Sequence, residues 1–159
     1  MLKAVLAIII VAIIVAVVVF VFVLGGSDDD GVGENVVPIQ VNNATKLGAL
    51  HIELVYDSSV LEATDVKLGD LGDNAQVNSD LRTPGRAIIG IIDAMGMNGS
   101  GVIVEVHFDE IISGETSMKL ENVMATDAET LYDLVVKTIP GSLDTAEGDH
   151  QAPVINLGL

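Results

Sequence analysis

The distribution of apolar residues divides the chain into two parts with different periodicities. Ala4 to Leu24 form 21 consecutive residues without a charged or polar side chain. At about 1.5 Å per residue, this run predicts an apolar helix of roughly 31 Å, close to the thickness of a bilayer core. After residue 36 the apolar and polar residues alternate with the two-residue period of β-strands. The pattern therefore predicts one long apolar helix followed by a β-domain.

The strand signals lie between Gly, Asn and Asp turns, which is typical of an antiparallel sandwich. Alternation predicts that Leu50, Ile52 and Leu54 face the core, and that His51 and His107 point outward. We predict a mainly β, jelly-roll or Ig-like sandwich preceded by one helix. The predicted strands are 37–41, 50–56, 87–92, 102–108, 117–120 and 134–139. The predicted organisation is a helix at 1–25, a flexible acidic linker at 26–35, the sandwich at 36–143 and a tail at 144–159.

Composition narrows the classes of function. The net charge of −16 disfavours nucleic-acid partners. Cysteine and tryptophan are absent and aromatic residues make up 3%, so disulfides are excluded and a stacking platform for sugars is disfavoured. No phosphate loop, nucleophile elbow or H-E-x-x-H pattern occurs, and carboxylates alone do not identify a glycosidase pair. We therefore predict no catalytic residues and no enzymatic activity.

The charges that flank the apolar segment predict its orientation. Lys3 precedes the segment, and three aspartates, Asp28, Asp29 and Asp30, follow it. By the positive-inside rule, the N-terminus is cytoplasmic and the domain lies outside the cell. The segment is interpreted as a cleaved signal peptide, a signal anchor or a pilin-type helix that leaves the membrane on assembly. Small residues that would allow close helix packing recur at Ala4, Ala7, Ala12 and Ala16.

An apolar helix followed by a β-rich head resembles the type IV pilins of bacteria or archaea. Bacterial type IV pilins carry a Glu at the fifth mature position, whereas this chain has Val5. Archaeal-type pilin helices commonly lack that Glu. The resemblance implies a helix that is stored in the membrane and later packs in the core of a filament.

Two kinds of surface site are candidates for ligands or modification. Asp28, Asp29 and Asp30 could bind Ca²⁺, but they lack the alternating spacing of an EF-hand loop, and a solvated spacer is the simpler interpretation. No other metal or cofactor is predicted. Asn43-Ala44-Thr45 and Asn98-Gly99-Ser100 are N-glycosylation sequons in predicted surface turns.

The C-terminal tail ends in four large aliphatic residues, which is unusual for a free tail. Two interpretations remain open. The tail packs on its own domain, or it docks on a neighbouring subunit by strand addition. The candidate contact residues are Val154, Ile155, Leu157 and Leu159.

The domain resembles cohesins. The segment from Leu47 to Glu62 is similar to the cohesin signature, in which an inward-patterned strand ends in a Tyr-Asp-Pro-x-x-Leu-like turn, although Ser58 stands at the Pro position. The resemblance covers roughly Val36 to Leu143 and implies a jelly-roll sandwich. Cohesins bind dockerins through one sheet face, but the contact positions vary and none can be transferred. The other matching segments are 91–94, 101–108, 114–123 and 126–128.

Two functions follow from these features. The first hypothesis is a structural subunit of an extracellular, pilus-like filament built from copies of this chain, inserted in the membrane before assembly. In that filament the helices form the core and the heads form the outer surface, with adhesion as an additional role. The alternative is a membrane-anchored, cohesin-like surface receptor that binds a dockerin or another protein.

Overall fold

The computed structural model describes residues 35–158. Several predicted features lie outside this range. They are the helix at 1–25 with Ala4, Ala7, Ala12 and Ala16, nearly all of the linker with Asp28, Asp29 and Asp30, and the terminal Leu159. Residues 35–158 form nine strands and one 3-10 helix, Asp70–Gly72. The strands are β1 (Asn35–Val55), β2 (Leu61–Leu68), β3 (Gln76–Thr83), β4 (Arg86–Glu110), β5 (Glu115–Asp127), β6 (Val135–Ile139), β7 (Gly141–Asp144), β8 (Asp149–Gln151) and β9 (Val154–Gly158).

The strands form two layers that share the long strands β1 and β4. Residues 35–44 of β1 and 101–110 of β4 lie in sheet I, in the order β2–β4–β1–β9–β6. Residues 47–55 of β1 and 86–92 of β4 lie in sheet II, in the order β3–β4–β1–β5. Strand β5 also pairs with β7, and β7 with β8. Most pairs are antiparallel, so the predicted mainly β sandwich is confirmed.

The two layers meet at a corner where β1 and β4 bend together. Buried positions of β1 are odd-numbered at Val37, Ile39 and Val41, but even-numbered from Leu50 onwards. Four register shifts between residues 39 and 49 produce this change, as expected for bulges, which insert residues and re-aim side chains. The sequence pattern predicts separate strands at 37–41 and 50–56. They are halves of one strand because the turn-like residues between them form a corner rather than a reversal.

The core lies between the sheets. Leu50, Ile52 and Leu54 are fully buried or nearly so, as the alternation predicts. The rings of Tyr56 and Phe108 meet edge-to-face with their centroids 5.0 Å apart, which joins the end of β1 to sheet I.

His107 does not point into solvent, so the outward placement predicted for it is wrong. Its side chain is only 5% exposed. Around His107 both faces of β4 are covered, since Val106, Phe108 and Ile103 are also buried. Alternation therefore does not separate an inner from an outer face in this part of the strand. His51 is half-buried on the outward side of sheet II.

The C-terminal residues complete sheet I. Strand β9 runs parallel to β1 and antiparallel to β6, and it buries Ile155 and Leu157. The sandwich therefore continues beyond residue 143 to Gly158. A contact of Ile155 or Leu157 with a neighbouring subunit would require β9 to leave its own sheet. Within residues 35–158, the structure contains no helix with the length and apolar character of a membrane span.

Candidate functional site

The solvent-facing side of sheet II, called here the outer face, is the candidate functional site. It is formed by β3, residues 86–92 of β4, residues 47–55 of β1 and residues 119–127 of β5. The buried Leu50, Ile52 and Leu54 place their neighbours on the outside, because side chains alternate across a strand. The strand registers then line up residues in rows across the face. The central row is Asn78, Gly90, His51 and Met124.

One half of the outer face is charged and internally paired. The guanidinium of Arg86 contacts the Glu53 carboxylate and lies 3.5 Å from Glu121 Oε2. The Asn122 side chain donates a hydrogen bond to Glu53, and with Arg86 it lowers the pKa of that carboxyl group. Because one guanidinium is shared by two carboxylates, this cluster keeps one negative charge in excess.

The edge strand β3 carries a second ion pair. Arg82 donates from Nε to Asp80 Oδ1 at 2.9 Å and from Nη2 to Asp80 Oδ2 at 2.5 Å. These hydrogen bonds lower the pKa of Asp80 to about 2. The pair is bidentate, which is the geometry that planar guanidinium and carboxylate groups favour. Asp80 is therefore ionised at physiological pH.

The other half of the outer face is apolar and exposed. Ile92 is 62% exposed and lies two residues from Gly90 on β4, and Met124 is 60% exposed and pairs with His51. Two connected grooves run along this half. The first has a volume of about 310 Å³ and is lined by Ala49, His51, Gly90, Ile92, Met124 and Asp133. The second, of about 200 Å³, adds Asp93, Asp127 and Leu131.

The loop after β5 is held against the end of this apolar half. Asp127 Oδ1 accepts hydrogen bonds from the backbone N–H groups of Glu129 and Thr130, and the second of these is the main cause of its lowered pKa. The fixed turn presents Leu131 and Tyr132, which are 75% and 76% exposed. Leu131 lines the second groove together with Ile92, and contiguous exposed apolar side chains mark interaction surfaces.

The two sequons lie side by side at the corner between the sheets, not in separate turns. Ala44 pairs with Gly99, and Ser100 Oγ accepts a hydrogen bond from the Asn43 backbone N–H at 3.0 Å. The Asn98 amide is engaged at both ends: Oδ1 accepts from Lys46 N–H at 2.9 Å, and Nδ2 donates to Gly96 O at 3.0 Å. Asn98 thus ties the two strands together. Asn43 is exposed and has a left-handed backbone, with a φ of 61°.

The outer face was not among the sites that the sequence indicated. The run Ile88-Ile89-Gly90-Ile91-Ile92 predicts a central strand, and only its odd-numbered isoleucines are buried. The inward and outward isoleucines belong to one apolar run, so the sequence pattern alone does not identify Ile92 as exposed. Among residues 35–158, no group of three or more His, Asp or Glu side chains is placed to hold a metal ion.

Comparison with known proteins agrees with this jelly-roll architecture. The cohesin domain family model matches residues 20–144. The chain belongs to the cohesin family. It is 25% identical over 136 residues to cellulose-binding protein A of Clostridium cellulovorans, an alignment that spans 80% of this chain and 7% of that protein. The chain thus spans a small fraction of the length of this relative.

Solved cohesin structures share the fold. A non-cellulosomal cohesin from the hyperthermophilic archaeon Archaeoglobus fulgidus superposes with a TM-score of 0.58 at 20% identity, over 78% of this chain and 92% of that one. A type I cohesin–dockerin complex from Clostridium thermocellum gives a TM-score of 0.53 at 10% identity, over 84% and 100% of the two chains. At these identities the likeness establishes the fold.

Proposed function

We propose that this chain is a surface-displayed, protein-binding module whose outer face captures a dockerin-bearing protein. Cohesin domains are protein–protein interaction modules, and this chain belongs to that family. The cohesin from Clostridium thermocellum that shares its fold is in complex with a dockerin. Family membership therefore supports a receptor rather than a filament subunit.

The observation that carries the proposal is the exposed apolar half of the outer face. Ile92, Met124 and Leu131 each expose more than half of their surface. Interfaces typically place such side chains at the centre and polar groups at the rim. Here the ion pairs of Glu53 and Asp80 form a polar border on one side. The face therefore has the composition of a protein-binding interface.

Surface display rests on the apolar segment. We propose that residues 4–24 hold the chain in the membrane with the sandwich outside, on the grounds of length and flanking charge. Membrane anchoring and filament assembly both depend on that segment, which lies outside the described residues, so the choice between them rests on the cohesin family match, which supports binding to a protein partner. Electron microscopy of sheared cell-surface material tests this choice, because filaments that contain this chain would contradict it.

Binding is tested with the full chain in detergent and a panel of recombinant dockerins. The panel contains the dockerin of the Clostridium thermocellum complex and all dockerins encoded in the genome that encodes this chain. We expect at least one to bind by isothermal titration calorimetry. Ile92→Arg and Met124→Arg should each weaken that binding by about 100-fold, as for truncation of a central hot spot.

The matched control is Val135→Arg, since Val135 is 65% exposed but lies in β6 of the other sheet. It should bind like the native chain. The proposal fails if no dockerin in the panel binds. The choice of face fails if the control weakens binding as much as Ile92→Arg and Met124→Arg do.

A further inference from the structure

Gly90 occupies a strand position at which the fold does not need a glycine. Its backbone is not in the left-handed region, and a Cβ added there would come no closer than 4.0 Å to any described atom, the nearest being Asn78 O. Glycine inside a strand is destabilising relative to a residue with a side chain. Gly48 in β1 is different, because an added Cβ there would lie 2.6 Å from Ala128 Cα and packing requires the glycine. The space over Gly90 is thus not explained by the packing of the chain itself.

That space forms the β4 side of the first groove and is called here the Gly90 notch. Gly90 lies in the central row between Asn78 and His51, with the exposed Ile92 two residues further along β4 and the exposed Met124 beyond His51 in the same row. A volume of about 310 Å³ is at the lower limit of small-molecule pockets, and this groove is open along the sheet surface. Its size and apolar walls suit an inserted aliphatic side chain from another protein.

Carboxylate groups lie around the notch and would be the charged neighbours of an inserted side chain. Asp133 lines the notch, and Asp93 and Asp127 line the adjoining groove. Among the residues that the structure describes, no Lys or Arg lines either groove. Strand β5 holds Asp133 in place through a bridge between Thr126 and Asp133. The carboxylates that line the two grooves would therefore attract a cationic group beside the inserted side chain, although one of them, Asp127, has a nearby lysine, Lys46, that contributes to lowering its pKa.

We propose that the Gly90 notch is the anchor subsite of the outer face, and that it accepts one aliphatic side chain flanked by a Lys or Arg of the partner. This inference rests on the proposed function, since it specifies how the captured protein is recognised. Gly90 sets the depth of the subsite, and Asp133 sets its preference for a cation. The absence of a side chain at Gly90 keeps the subsite open and lowers the stability of the strand.

The test fills the notch without touching its walls. In the full chain, Gly90→Val should weaken binding of the tightest dockerin in the panel by about 100-fold, which corresponds to about 2.8 kcal/mol. Its Tm should be unchanged or higher, because a β-branched residue suits an exposed strand position. Gly90→Ala fills less of the notch and should weaken binding about tenfold. The control is Gly158→Val in sheet I, where an added Cβ would have its nearest described neighbour, Val135 Cγ1, at 3.9 Å.

A second variant tests the cation preference. Asp133→Asn keeps the shape of the side chain and removes its charge, so binding should weaken about tenfold at low salt and less at high salt. If Gly90→Val is folded and binds like the native chain while Ile92→Arg does not bind, the subsite is refuted and the proposed function stands. Should Gly90→Val be misfolded, native-like binding by Gly90→Ala refutes the subsite instead. If the native chain binds no dockerin, the proposed function fails and the subsite fails with it.

Discussion

A substitution in strand β9 can test quantitatively whether this strand completes sheet I of its own domain. Ile155 is fully buried, and it pairs with Val41 on one side and Thr138 on the other. The perturbation is Ile155→Ala, which removes three carbon atoms from the core between β1 and β6. The control is Val135→Ala, because Val135 is in the neighbouring strand and 65% exposed.

The expected cost follows from burial. Truncation of a fully buried isoleucine to alanine costs about 2–5 kcal/mol, and we take about 3 kcal/mol because a strand near the chain end can partly relax. With a slope of about 1.5 kcal/mol per molar urea for a domain of this size, the unfolding midpoint should fall by about 2 M. Val135→Ala should change the free energy of unfolding by less than about 0.5 kcal/mol.

The assay is urea unfolding of the full chain in detergent, followed by circular dichroism at several protein concentrations. The midpoint should not depend on concentration if β9 completes its own sheet. A strand that instead inserted into a second copy would give a midpoint that rises with concentration, because association stabilises the folded state. That rise, or equal midpoints for Ile155→Ala and Val135→Ala, would refute the placement of β9 in its own domain.

Two further predictions concern the corner between the sheets. Gly48→Ala should destabilise the domain by about 1–3 kcal/mol in the same urea assay, because the new Cβ would lie 2.6 Å from Ala128 Cα. The control, Gly114→Ala, should be nearly neutral, since no described atom lies within 4 Å of its added Cβ. In a host that attaches N-glycans to folded, exported proteins, we expect glycopeptide mass spectrometry to find the glycan on Asn43 and not on Asn98, because the Asn98 amide is engaged in two hydrogen bonds. Comparable occupancy at Asn98 would contradict this.

Much of the fold could be predicted from local pattern. Alternation around Leu50, Ile52 and Leu54 identifies a half-buried strand, and the segment from Leu47 to Glu62, together with several later segments, indicates the cohesin family. The sequence pattern did not predict how the strand segments are connected. The residues between Val41 and Leu50 have the composition of a turn, yet they carry β1 from one sheet to the other, and the β4 residues that pair with them, among them Met97 and Gly99, do the same for β4.

The candidate site was harder to predict. Nothing in the sequence distinguishes the outward Ile92 from the inward Ile91, because both belong to one apolar run. The register of β1, β4 and β5 brings Met124, His51 and Gly90 into one row from three distant parts of the chain. The open space above Gly90 can also be recognised only when the residues around that glycine in three dimensions are known.

By itself, the sequence determined the mainly β class, the family and the apolar segment that precedes the domain, because these depend on period, motif and length within short stretches. The tertiary structure decided which face of each sheet is covered and which is exposed. It also decided that Ile155 belongs to the core. The physical reason is that period-two alternation separates two sides of a strand but does not say what covers either side. His107 was expected outside and is buried, whereas Ile92, at the end of a run predicted only as a strand, is exposed.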